Sequence, residues 1–140
     1  MPTVSQSIDI HAKPDQVESV YRDFESYPTF IGSIVSVKEH DDLLDCHLRV
    51  AGIDFPYTAR VETVKPGEYR WETVAGSISH RGAVHIRPHG AVTQLAFDVE
   101  YDVPGGALGH LAGKIVNWTG LVDSGLRHAL ECTKAHIEAQ

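Results

Sequence analysis

The sequence predicts an α+β fold in which a curved antiparallel sheet of seven strands wraps a long C-terminal helix, with two short helices after the first strand. Three observations carry this expectation. Apolar and polar residues alternate with the period of a sheet through residues 33 to 102. The stretch is cut by Asp41-Asp42, Gly52, Pro66-Gly67, Gly76 and His89-Gly90, turn signals short enough to join antiparallel neighbours. After Pro104-Gly105-Gly106 the apolar spacing becomes helical.

Residues 4 to 11 form the first strand, with Val4, Gln6, Ile8 and Ile10 on one face. A helix comes next from Pro14, which suits a first turn; Asp15 and Glu18 make a capping-box pattern, and Val17, Val20, Tyr21 and Phe24 share one stripe. Tyr27 to Gly32 reads as a turn into a second, very short helix, since Pro28 breaks the first helix and Gly32 ends the second. The strands then run 33 to 40, 43 to 51, 54 to 64, 68 to 75, 78 to 88 and 92 to 102. One parity is apolar, as in Leu44, Leu48, Val61, Ile86, Leu95 and Val99, whereas the other carries Asp45, Arg60, Glu72, Arg81 and Asp98. A sheet wet on one side needs a cover on the other. That cover is the helix expected from residue 107 to about 138, whose apolar face includes Leu108, Leu111, Ile115, Trp118, Val122, Leu126 and Ile137. At roughly 30 residues it would reach on the order of 45 Å, across the whole sheet. Gly109, Gly113, Gly120 and Gly125 argue for close packing or a bend in its first half, leaving continuity before Asn117 open.

The chain's 140 residues, 42% hydrophobic and 22% charged, suit one globular domain spanning 1 to 140. Twelve basic against 19 acidic residues give a formal charge of −7, a field that argues against nucleic acid and anionic membrane surfaces as partners. No apolar run approaches the length of a membrane span, and MPTVSQSIDI lacks the pattern of a secretory signal, so a cytoplasmic location is expected. The two cysteines, Cys46 and Cys132, have neither zinc nor disulfide-framework spacing and read as free thiols.

A curved sheet cannot touch a straight helix along its whole concave surface, and the gap tends to be an apolar pocket. Several stretches also carry a family resemblance: the opening strand with Ala12-Lys13-Pro14-Asp15-Gln16-Val17, the Tyr27-Pro28-x-Phe30 turn, Tyr69-Arg70-Trp71, Gly82-Ala83-Val84, and Pro104-Gly105-Gly106 leading to Leu130, Lys134 and Glu138. Nearly end to end, the chain resembles the START-like (SRPBCC) superfamily with its helix-grip fold, and most of all its polyketide cyclase/dehydrase branch. The Tyr-Pro-x-Phe turn is also similar to that of coenzyme-Q-binding members. The resemblance implies a hydrophobic or polycyclic ligand held between sheet and C-terminal helix.

His80 is the most informative polar residue, because its parity places it with Ile78, Gly82 and Val84 on the concave face. It can hydrogen-bond a ligand carbonyl or act as acid or base near neutral pH; equally, it can be an end-of-strand histidine in solvent. Tyr57, Tyr69 and Tyr101 share the inward parity and can orient a ligand head or simply fill the core. Trp71 and Trp118 can face each other as stacking walls or serve as anchors, with Val84, Phe97, Leu111 and Ile115 as apolar lining. Asn117 offers an amide that can reach the cavity and His110 a ring at its mouth. Of nine histidines the nearest pair, His85 and His89, has no third ligand in a recognisable pattern, so no metal is expected. Cys46 reads as a buried inert thiol. No GxSxG, phosphate-cradling loop or HExxH occurs, so no cofactor is expected and hydrolytic or nucleotide chemistry loses support. The leading expectation is a monomeric or homodimeric carrier of a small lipid-, quinone- or polyketide-like molecule. The alternatives are a cyclase, aromatase or dehydratase-like enzyme using His80 as acid or base, with Tyr57 or Tyr101 stabilising an enolate, and a module whose groove receives an apolar partner segment.

Overall fold

Alternation and turn chemistry produce the expected sheet. The computed structural model describes residues 2–50, 52–102, 110–111, 114–115 and 117–140, with the backbone alone at 110, 111, 114 and 115. Its strands are β1 (Thr3–Ile10), β2 (Ile34–His40), β3 (Leu43–Val50), β4 (Ile53–Lys65), β5 (Glu68–Gly76), β6 (His80–His89) and β7 (Val92–Tyr101). They form one seven-stranded sheet in the order β1-β7-β6-β5-β4-β3-β2, antiparallel throughout. The first strand thus closes against the last. On the convex face the register aligns Arg60, Glu72, Arg81 and Glu100 across four adjacent strands, opposite charges alternating. The Arg81 guanidinium meets Glu100 at 2.9 Å. Such exposed cross-strand pairs add little to stability but disfavour a register slip.

Helix α1 (Pro14–Arg22) begins with Pro14 as expected and turns Val17, Val20 and Tyr21 inward. The capping box does not form. Lys13 occupies the N-cap position without a side-chain cap, and Glu18 instead accepts a hydrogen bond from the Tyr69 hydroxyl. The second short helix is a 3-10 turn, Phe24–Thr29, which contains Pro28 rather than following it. It covers the edge strand β2, where Glu25 accepts from the Glu39 amide at 2.9 Å.

Helix α2 (Trp118–Glu138) starts later than residue 107, the start the sequence suggested. Asn117 is its N-cap, Oδ1 accepting from the Gly120 amide at 3.0 Å and satisfying one donor of the first turn. Before it, His110–Leu111 (β8) and Lys114–Ile115 (β9) pair as a short antiparallel ladder. Gly109 and Gly113, each costing about 1 kcal/mol in a helix interior, favour such a break. The rest of the expected helix start lies outside the described residues.

α2 lies along β1 and is tied to it by polar links: Arg127 donates to the Gln6 side chain and Ser7 carbonyl, and Gln6 donates to Asp123. At its end Lys134 donates to the Asp9 carbonyl. Glu138 there accepts from the His11 amide at 2.8 Å and from Lys134 at 2.9 Å, and these bonds hold its carboxyl down to about 2. The two halves of α2 meet different surroundings. Leu130 and Ile137 are buried in a close-packed core with Ile10, Val17, Tyr69 and Val84, whereas the turns before Leu130 face a hollow.

Candidate functional site

The hollow between the first half of α2 and the concave face of β2–β7 has a volume of about 620 Å³. That is ample for a drug-sized molecule, for which pockets run about 300–1,000 Å³. Its walls are almost wholly apolar: Val37, Leu44, Phe55 and Val99 from the sheet, Leu121, Val122 and Leu126 from α2. The aromatic stretch after α1 closes one side, with Phe24 and Tyr27 in edge contact at 5.9 Å.

Of the residues expected to bind ligand, Tyr57, Trp71, His80, Phe97, Tyr101 and Trp118 line this cavity. Tyr69 and Val84 do not; both are fully buried in the core beneath α1 and the end of α2. Strand parity assigned them to the right face but says nothing about position along the groove, and they fall at its closed end. The side chains of His110, Leu111 and Ile115 lie outside the described residues. Asn117 is spent on capping α2. Trp71 and Trp118 make separate contacts rather than a facing pair: Trp71 with Phe97 at 5.9 Å, Trp118 edge-on to Phe55 at 6.0 Å.

His80 sits opposite Tyr101 in the β6–β7 ladder, with its ring edge-on to Tyr57 at 4.7 Å. Its Nδ1 accepts from the Trp71 indole at 2.8 Å, and its amide donates to Thr73 Oγ1 at 3.1 Å. An acceptor at Nδ1 in a neutral ring requires the hydrogen at Nε2. Burial lowers the imidazole to about 4, so the neutral form holds at pH 7. His80 is therefore a hydrogen-bond donor to the cavity. It is poorly placed as a base, since one lone pair is engaged and the other nitrogen carries the proton, and it has no proton to lose as an imidazolium acid at neutral pH.

The other polar groups are also neutral. Burial raises the phenols of Tyr21, Tyr27 and Tyr57 well above their ordinary range. It raises the Cys46 thiol too, against the smaller opposing effect of a hydrogen bond from Tyr57. The Tyr27 hydroxyl donates to the Tyr21 carbonyl, and Tyr101 donates to Thr119 Oγ1 at 2.6 Å. Charge is confined to rim residues such as Arg49, whose Nε meets Asp54 at 2.8 Å, and Asp102, which is exposed. Among the described residues no group of three or more His, Cys, Asp or Glu side chains is placed to hold a metal ion. His85 faces Glu68 and Asp98, and His89 faces Asp9 at 3.2 Å.

The sequence profile of the family described as polyketide cyclase / dehydrase and lipid transport matches residues 1–138. The chain belongs to that family. Solved structures similar to this chain share its helix-grip fold. TTHA0849 from Thermus thermophilus superposes with a TM-score of 0.85 at 16% identity, over 99% of this chain and 98% of that one. The Zhui aromatase/cyclase from a Streptomyces species gives 0.80 at 19% identity, over 98% and 93%. A START superfamily protein from Mycobacterium smegmatis gives 0.76 at 18%, over 98% and 97%. At these identities the likeness concerns fold alone. A search of the curated proteins found no match.

Several wall residues of this family member escaped sequence reasoning. Phe55 shares the parity of Tyr57 and Ala59 and was within reach of the alternation argument. Tyr21, Phe24, Tyr27 and Ile31 carried no comparable signal, because their place depends on how the 3-10 turn folds back over the sheet.

Proposed function

We propose that the protein binds and carries a small hydrophobic molecule, of lipid, quinone or polyketide type, in the cavity between its sheet and the first half of α2. One observation carries the reading: about 620 Å³ of space bounded by apolar and neutral side chains, with the charged Arg49 and Asp102 only at its rim. Each Å² of apolar ligand surface taken from water there contributes about 25 cal/mol. Among the described residues of this chain no helix is long and apolar enough to cross a membrane. The enzymatic alternative, in which His80 moves a proton, is weakened by the neutral ring and its engaged Nδ1.

The neutral fluorophore N-phenyl-1-naphthylamine is the test ligand. It should bind saturably with a blue-shifted emission, and Val122→Trp, which fills the cavity from α2, should weaken it about tenfold. No saturable binding, or equal affinity in the variant, counts against occupation of this cavity.

A further inference from the structure

The two ends of the sheet carry turns of different chemistry. Because β2 to β7 run as an antiparallel meander, successive turns alternate between its ends. Asp41-Asp42, Pro66-Gly67 and His89-Gly90 gather at the end where Tyr69, Ile86 and Leu95 fill the core. The turns after β3 and after β5 gather at the other end, beside His80, Tyr101 and Trp118 of the cavity wall. There the polar turn chemistry is broken: β3 and β4 are joined through Val50-Ala51-Gly52-Ile53.

Turn residues are ordinarily polar, since the chain runs over the surface and its unpaired backbone groups face water. Ile53 is nonetheless 36% exposed and is not among the side chains lining the cavity, whereas Val50, its partner across the ladder, is. Gly52 takes φ +76° with nothing within 4 Å of where a Cβ would stand, so among the described residues the turn stands clear of other elements. Val35, 39% exposed at the bulge of β2, adds apolar surface near the same end. Clustered exposed apolar side chains mark a contact surface, and charge selects the partner. Arg49 and Asp54, which flank the turn, pair with each other at 2.8 Å, and the chain carries a net charge of −7, so an anionic surface is repelled.

We propose that the β3–β4 turn is a docking element for an electrically neutral lipid surface, with Ile53 entering the boundary between headgroups and acyl chains and the Arg49 rim of the cavity brought against that surface. Its use, exchange of cargo between bilayer and cavity, rests on the binding reading above; the contact itself does not. A turn this small buries far less apolar surface than an acyl anchor, so the contact is brief and reversible, as suits a carrier that must leave again.

Co-sedimentation with phosphatidylcholine vesicles at millimolar lipid tests the contact. The native protein should partition measurably and Ile53→Asp about tenfold less, while phosphatidylglycerol mixed into the vesicles should weaken native binding. Orientation is read from quenching by brominated phosphatidylcholine: Ile53→Trp should gain quenched emission over the two native tryptophans, and His89→Trp, at the opposite end of the sheet, should not. Because Ile53 is no part of the cavity wall, N-phenyl-1-naphthylamine should bind Ile53→Asp in buffer as it binds the native protein, which also shows that the variant folds. No partition of the native protein, equal partition of Ile53→Asp, equal quenching at the two positions, or binding that requires the anionic lipid would each overturn the docking assignment and leave the cavity reading standing. A native dimer that Ile53→Asp dissociates in the absence of vesicles would overturn it too, assigning the turn to a second copy of the chain. Failure of the naphthylamine to bind the native protein removes the binding reading and the exchange of cargo with it, while vesicle partition still decides the contact.

Discussion

Gly82→Ala should lower stability by about 3 kcal/mol and loosen Trp71 from its place. A Cβ at residue 82 would stand 2.1 Å from the Asp98 carbonyl oxygen and 2.5 Å from Trp71 Cη2. The indole can swing, but the carbonyl belongs to the paired backbone of β7, so the β6–β7 ladder itself must part. Trp71 lies over Gly82 as its partner across the β5–β6 pair, and its Nε1 holds His80. The substitution thus reaches the cavity wall as well as the sheet. Urea unfolding and near-ultraviolet circular dichroism of the tryptophans measure both effects; a change within about 0.5 kcal/mol, as for an ordinary surface position, would refute the packing argument.

A second large effect concerns acid. Stability should fall on the order of 3 kcal/mol between pH 6.5 and pH 4 through His80 alone. The unfolded chain protonates this imidazole near 6.5, whereas the folded protein does so only near 4. Between those values the unfolded state binds more protons, so stability rises with pH across the window, is complete above it and is lost on descending through it. Protonation at Nδ1 also removes the acceptor used by Trp71. Glu138 titrates lower: its contribution is present above about 4.5 and disappears towards 2. Urea midpoints at pH 7.5 and 4.5 should therefore differ less in His80→Gln than in the native protein. Parallel pH slopes for the two would show that His80 is not the group responsible.

The fold was legible because its signals are local and repeated. Period-two alternation and five turn signals define six strands within a residue or two of their observed ends. Errors arose where a side chain chose a distant partner over a local one. Glu18 abandons the capping box for Tyr69, 51 residues away, and Asn117 caps a helix that the apolar spacing carried back to residue 107. The site was legible by face but not by depth. Inward parity assigns Trp71, His80 and Tyr101 to the concave surface, and it assigns Tyr69 and Val84 there too; only the packing of α1 and the end of α2 separates the filled end from the hollow one. The tautomer of His80 was beyond reach of the sequence, since it depends on an indole donor in the adjacent strand.

Because α2 is anchored through Leu130 and Ile137, with Leu126 packed against the same core, yet borders empty space at Leu121 and Val122, changes along this one helix divide into two kinds. Altering the anchor threatens the amount of folded protein in a cell; altering the earlier turns reshapes what fits inside while sparing the scaffold. Under the proposed binding role, selectivity would then be re-tailored by engineering the first turns of this helix, without re-solving the folding problem.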